Sequence, residues 1–104
     1  MNAKQKEEVI DRHKKQGIAI YTITCESGEE CIIKHPDVEV TNKVLIYLFG
    51  APENRNMLKA GKIILEECWI AGDDLIRTDK ELNGEAAFGA STMVELKVAE
   101  VKKN

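Results

Sequence analysis

The feature that most constrains the fold is a strongly amphipathic segment between residues 54 and 72. Charged residues occupy one side, and apolar residues recur at spacings of three and four on the other: Met57, Ala60, Gly61, Ile64, Leu65 and Cys68. This period is that of an α-helix with one buried face. The segment therefore predicts a central helix that carries Trp69, ends at Gly72 and supplies most of the core.

The composition indicates one folded domain over residues 1–104. Apolar residues make up 43% of the chain and charged residues 32%, which is typical of a globular protein. No linker or repeat divides the sequence. The net charge of -3 provides no field that would attract nucleic acid or anionic lipid, so we expect neither as a partner.

Targeting signals and metal motifs are missing from the sequence. Residues 1–16 are highly charged, and the longest apolar run, Val44 to Phe49, has six residues, whereas a membrane span needs about 20. The three cysteines show no Cys-x-x-Cys spacing. We therefore expect a cytoplasmic protein with inert buried thiols and with no metal or cofactor.

The N-terminal third of the chain predicts a helix and a hairpin. Residues 1–17 are polar helix formers ending in glycine, which favours a loosely docked, exposed helix. Residues 18–34 predict a β-hairpin with strands Ile18–Cys25 and Glu30–Lys34. A turn centred on Gly28 would place Cys25 opposite Cys31, as two thiols on the apolar face.

Residues 37–103 form the helical part of the prediction. Asp37 is a candidate cap for a helix over Val38–Phe49, although the β-branched residues of this stretch also suit a strand. Thr78 or Asp79 would cap a last helix that continues to Val101. The predicted fold is thus α+β: an exposed N-terminal helical segment, a short β-hairpin and a bundle of about three helices.

Few polar residues form a constellation that could carry catalysis. His13 and His35 lack partners in the sequence pattern, and Cys68 lies on the buried stripe. Asp73 and Asp74 are the one candidate, because adjacent aspartates bind Mg²⁺ in many phosphoryl-transfer enzymes. A helix end followed by the acidic start of the next helix explains the same residues.

One stretch of the sequence resembles a known family. Residues 63–76, IILEECWIAGDDLI, resemble a segment of phage and prophage proteins described as tail assembly chaperone-like. The matching order also includes Lys34 and Pro36 after the hairpin and the Lys- and Glu-rich stretch Val94–Lys103. The resemblance implies a non-enzymatic assembly factor that binds the tape-measure protein or tail-tube subunits before the tail polymerises.

The apolar residues are the candidates for core packing or partner binding, and we select five of them: Trp69, Ile64, Leu65, Tyr47 and Phe49. Burial of Trp69 on the central helix predicts a cost of about 3 to 5 kcal/mol for Trp69→Ala. A hairpin with a free edge predicts a protein partner or a homo-oligomer. Two alternatives stay open: a small metal-dependent enzyme or regulator using Asp73 and Asp74, and a regulatory or toxin–antitoxin adaptor.

Overall fold

The computed structural model of the protein describes all residues 1–104 and confirms the α+β class. The elements in chain order are α1 (Ala3–Lys15), β1 (Ile20–Thr24), β2 (Glu30–Lys34), α2 (Val38–Phe49), α3 (Met57–Cys68), β3 (Trp69–Gly72), α4 (Leu75–Thr78) and α5 (Lys80–Ser91). A short 3₁₀ turn, Pro52–Asn54, joins α2 to α3. The prediction of helix for Val38–Phe49 is confirmed, and the exposed N-terminal helix is also present.

The hairpin has a different register from the predicted one. Cys25 N–H donates to the Glu29 carbonyl at 2.8 Å, so the loop consists of residues 26–28. Gly28 takes the last loop position, where its φ of +103° is favourable only for glycine. Ile23 therefore lies opposite Cys31, and the predicted pairing of Cys25 with Cys31 is wrong. The first strand is also shorter than predicted, since it begins at Ile20.

A third strand follows the central helix directly, and the sequence did not predict it. Helix α3 ends at Cys68, and the next four residues form β3, which pairs antiparallel with β2 at the centre of the sheet. The predictions that Trp69 lies on the helix and that the helix ends at Gly72 are therefore wrong. Gly72 instead allows a close strand contact, because a Cβ there would lie 2.5 Å from Cys31 Cα.

The two faces of the sheet are covered by different helices. The odd-numbered residues Ile23, Cys25 and Cys31 pack in the main core with α2, α3 and α5. Ile32 points to the opposite face and is fully buried without joining that core. Helix α1 lies on this second face, where its Lys6 binds Glu30 of β2, although α1 itself has no buried residue.

The main core is centred on the crossing of α3 and α5, as the amphipathic segment predicts. Ile64, Leu65 and Cys68 of α3 are buried there against small residues of α5. The two backbones approach so closely at Gly61 that a Cβ on this residue would lie 1.8 Å from the Ala87 carbonyl oxygen. Helix α2 adds Val40 and Val44 to the core.

The predicted continuation of the last helix to Val101 is wrong, because α5 ends at Ser91. Val94 is buried, but every residue from Glu95 to Asn104 is exposed and lies outside regular structure. Short helices in proteins depend on packing of an apolar face, and Val98 and Val101 have no such contact, being 80% and 92% exposed. Residues 95–104 therefore form an irregular C-terminal segment.

The molecule is elongated. Its radius of gyration is 15.4 Å, whereas a compact domain of this length has about 13 Å, and its longest dimension is 56 Å. None of the helices is both long enough and apolar enough to cross a membrane.

Candidate partner-binding surface

The five apolar residues selected from the sequence separate into three environments. Ile64 and Leu65 are buried in the core, so they stabilise the fold and are not available to a partner. Tyr47 is half-buried and Phe49 is 41% exposed at the end of α2. Trp69 lies in a separate cleft beside β3. Tyr47 and Phe49 both lie in the last turn of α2 but two residues apart, so their side chains leave the helix on different sides. Neither lines the cleft of Trp69.

Three exposed apolar residues lie at the corner between α2 and α3. Ile46 and Phe49 are one helical turn apart on the outer side of α2, and Met57 begins α3. Asn56 N–H donates to the Tyr47 carbonyl at 2.9 Å and holds the start of α3 against the end of α2. Ile46 and Met57 are each 50% exposed. We refer to Ile46, Phe49 and Met57 as the corner patch.

The backbone at the corner patch is held by hydrogen bonds, and the charged residues nearby in the chain are Glu53, Arg55 and Lys59. Arg55 Nε donates to the Gly50 carbonyl at 3.0 Å, and Lys59 Nζ lies 4.8 Å from the centre of the Tyr47 ring. Neither Arg55 nor Lys59 belongs to one of the four ion pairs of the structure. Apolar side chains surrounded by polar ones are typical of a protein interface. The free cations would favour a partner with carboxylates beside its apolar residues.

Trp69 lines a cleft whose walls are mostly polar or charged residues. The cleft has a volume of about 390 Å³ and is lined by Lys62, Leu65, Glu66, Trp69, Arg77 and Asn83. The Arg77 guanidinium lies 4.2 Å from the centre of a Trp69 ring, in cation–π geometry. Because Trp69 is only half-buried, the expected cost of Trp69→Ala falls from the predicted range to about 2 kcal/mol.

Asp73 is engaged in contacts that hold α1 on the sheet. One of its carboxylate oxygens binds the Met1 amino group, and the other accepts from Glu30 N–H at 2.8 Å. These two hydrogen bonds, the first being the stronger influence, lower the pKa of Asp73. The hydrogen bond from Lys6 at 2.8 Å lowers the pKa of Glu30 in turn. Of the two aspartates considered for a metal site, Asp73 thus links the start of the chain to the sheet. Asp74 is exposed and immediately precedes α4.

The thiols and imidazoles form no cluster with these carboxylates. Cys25, Cys31 and Cys68 are free and buried, as predicted. Burial raises the pKa of each, that of Cys31 to about 12, so the thiols stay protonated at neutral pH. No group of three or more His, Cys, Asp or Glu side chains is placed to hold a metal ion.

Comparisons of the chain with models of protein families, with curated proteins and with solved structures give no significant match.

Sequence reasoning missed two residues of the corner patch as binding candidates. Ile46 lies outside the helical stripe formed by Val40, Val44 and Leu48. An apolar residue off the stripe is the sequence signal that indicates an exposed position. Met57 lies on the stripe of α3, where the pattern assigned it to the core. Met57 is the first residue of α3, and it is 50% exposed.

Proposed function

We propose that this protein is a non-enzymatic assembly factor that binds a protein partner through the corner patch. The observation that carries the proposal is the group of exposed apolar side chains, Ile46, Phe49 and Met57, on a corner whose backbone is held by hydrogen bonds. An apolar group in a fixed geometry binds a partner at low conformational cost. A group of exposed apolar side chains is unfavourable on a surface that contacts only water.

The resemblance of residues 63–76 to tail assembly chaperone-like proteins suggests which partner to test. It implies a tape-measure protein or a tail-tube subunit, whose apolar segments need cover before assembly. The basic side chains of Arg55 and Lys59 suit a partner segment that combines apolar and acidic residues. The protein would act by shielding such a segment until polymerisation replaces it.

Co-expression tests this proposal. Tagged wild-type protein is expressed with a phage tape-measure protein or a tail-tube subunit, and soluble complex is recovered by affinity purification. We expect a complex with wild type and its loss with the variant Phe49→Lys, because a charge at the centre of an apolar interface is costly. The matched control is Leu75→Lys, at a residue that is 56% exposed on the separate helix α4.

The outcomes separate the proposal from its alternatives. Recovery of wild type and Leu75→Lys complexes without the Phe49→Lys complex supports the corner patch as the docking surface. Equal recovery of all three complexes would contradict the role of the corner patch. Absence of complex with either tail protein, when all proteins are soluble, would contradict the assembly function.

A further inference from the structure

The outer edge of β1 offers unpaired backbone groups. In the antiparallel pair of β1 and β2, the bond from Cys25 N–H to Glu29 and the bond from His35 N–H to the Ala19 carbonyl show that odd-numbered residues of β1 face β2. The main-chain groups of Ile20, Thr22 and Thr24 therefore point away from the sheet. The order β1-β2-β3 leaves no strand beside them.

This edge lacks the features that normally prevent strand addition. Exposed edges in soluble proteins usually carry charged residues, a proline or a bulge. Strand β1, with the sequence IYTIT, has no charged residue, no proline and no glycine. The irregularity in the sheet lies between β2 and β3, on the opposite side. Strand β1 therefore carries none of these three protective features.

The same chain contains an unpaired segment with the pattern of a strand. Residues 94–98, VELKV, alternate apolar and charged side chains, which is the period of a strand with one buried face. After Val94 the backbone makes no hydrogen bond to the rest of the chain, and Leu96 is 55% exposed. The segment has five residues, the same number as β1. We refer to residues 94–98 as the C-terminal strand segment.

The position of this segment favours pairing with another molecule. Its first residues border a cleft of about 350 Å³ with Tyr21 and His35, on the helical face of the sheet. The free groups of β1 point sideways in the plane of the sheet, so the segment does not lie along its own edge. A second copy can approach that edge in the plane of the sheet.

We propose that the C-terminal strand segment of one copy adds as a fourth strand to β1 of a second copy, and that the exchange is reciprocal. Each copy contributes one edge and one segment, so a two-fold dimer pairs both and leaves neither free. The apolar side of the added strand, Leu96 and Val98, would then extend the core face beyond Tyr21, which is 46% exposed. The dimer does not involve the corner patch, so it is independent of the proposed function.

Two variants test the two halves of the exchange. Thr22→Pro removes an outward N–H of β1 without removing a bond to β2, and Thr22→Val is its matched control. Leu96→Glu places a charge on the apolar side of the segment, and Lys97→Thr is its matched control on the charged side. Because Leu96 is 55% exposed and lies outside the hydrophobic core, Leu96→Glu also tests the proposal if Thr22→Pro does not fold.

Sedimentation velocity over a range of concentrations provides the measurement. We expect wild type and both controls to form dimers as concentration rises, and Thr22→Pro and Leu96→Glu to remain monomeric. An equimolar mixture of the two defective variants should form a heterodimer, since the intact segment of one meets the intact edge of the other. A monomeric wild type, a Leu96→Glu variant that still forms dimers, or a mixture of two folded variants that stays monomeric would overturn the proposal.

Discussion

At the scale of single residues, the packing of α3 on α5 depends on one position without a side chain. Gly61 occurs within a helix, where glycine is less favourable than alanine by about 0.5 to 1 kcal/mol. The close approach of the Ala87 carbonyl explains its presence, because any Cβ at residue 61 would overlap that oxygen. The small side chains Ala86 and Ala90 of α5 permit the same close crossing.

Substitution of this glycine should separate the two helices. We expect Gly61→Ala to lower the free energy of unfolding by about 3 kcal/mol, because the backbone of α5 has to move. The control is Gly84→Ala in α5, where the nearest atom to a new Cβ is Leu58 Cδ1 at 3.9 Å. This control should raise stability by about 0.5 to 1 kcal/mol. Urea unfolding measures both, and equal effects would contradict the close contact at Gly61.

The buried thiol of Cys31 predicts a pH dependence of stability at alkaline pH. Burial raises its pKa from 9.0 to about 12 in the folded protein, so the unfolded chain loses this proton first as pH rises. Stability is then fully present below pH 9.0 and falls between pH 9.0 and about 12. We expect the slope of unfolding free energy against pH in that window to be shallower for Cys31→Ala than for wild type. Identical slopes would show that the thiol ionises over the same pH range in the folded and the unfolded protein.

At the scale of elements, helix caps define most of the boundaries. The side chains of Asn2, Asp37, Asn56 and Asp79 each accept a hydrogen bond from a backbone N–H in the first turn of α1, α2, α3 and α5. Such a bond satisfies one of the N–H groups that a helix start leaves without a partner. Asp74 precedes α4 without making this bond.

The contrast between Asp79 and Asp74 gives a matched test of capping. Asp79 accepts from Leu82 N–H at 3.0 Å, and we expect Asp79→Ala to cost about 1 kcal/mol of stability. Asp74→Ala removes the same charge five residues earlier but no capping bond, so its effect should be within about 0.5 kcal/mol. Thermal unfolding of the two variants compares them directly. A larger loss for Asp74→Ala would contradict the assigned helix starts.

Elements with local signals could be predicted from the sequence, and those that depend on distant contacts could not. Asp37 and Gly50 bound α2 on both sides, and Asp79 marks the start of α5, so these helices follow from capping residues. Strand β3 has no turn before it, and its pairing partner β2 lies far away in the sequence. The apolar residues of 94–101 fit a helical period as well as an alternating one. No helix forms there because Leu96, Val98 and Val101 have no apolar surface to pack against.

The candidate site could be predicted only in part for the same reason. Tyr47 and Phe49 are candidates because they are large and apolar, but the sequence does not show that the Tyr47 carbonyl meets the start of α3 or that Phe49 is exposed. Ile64 and Leu65 carry the same chemistry and lie in the core. Exposure distinguishes the two pairs, and exposure depends on how the elements pack.

At the scale of the whole molecule, a packed body continues into an exposed C-terminal segment. Residues 95–104 are all exposed, and their only ion pair, Lys102 with Glu100, is internal and solvent-exposed at 3.8 Å. We expect deletion of residues 95–104 to change the free energy of unfolding by less than about 0.5 kcal/mol in dilute solution. Urea unfolding of the full and shortened chains tests this. A clear loss of stability would show that the segment packs on the body.

The measurement that most directly tests binding through the corner patch is hydrogen–deuterium exchange with and without the proposed partner, a tape-measure or tail-tube protein. Binding at the corner should slow amide exchange in the last turn of α2 and the first turn of α3, around Phe49 and Met57, because a partner excludes water there. Exchange in α1 and around Asp73 and Asp74 should stay unchanged. Protection confined to Asp73 and Asp74, or no protection at the corner in a complex that forms, would contradict the account.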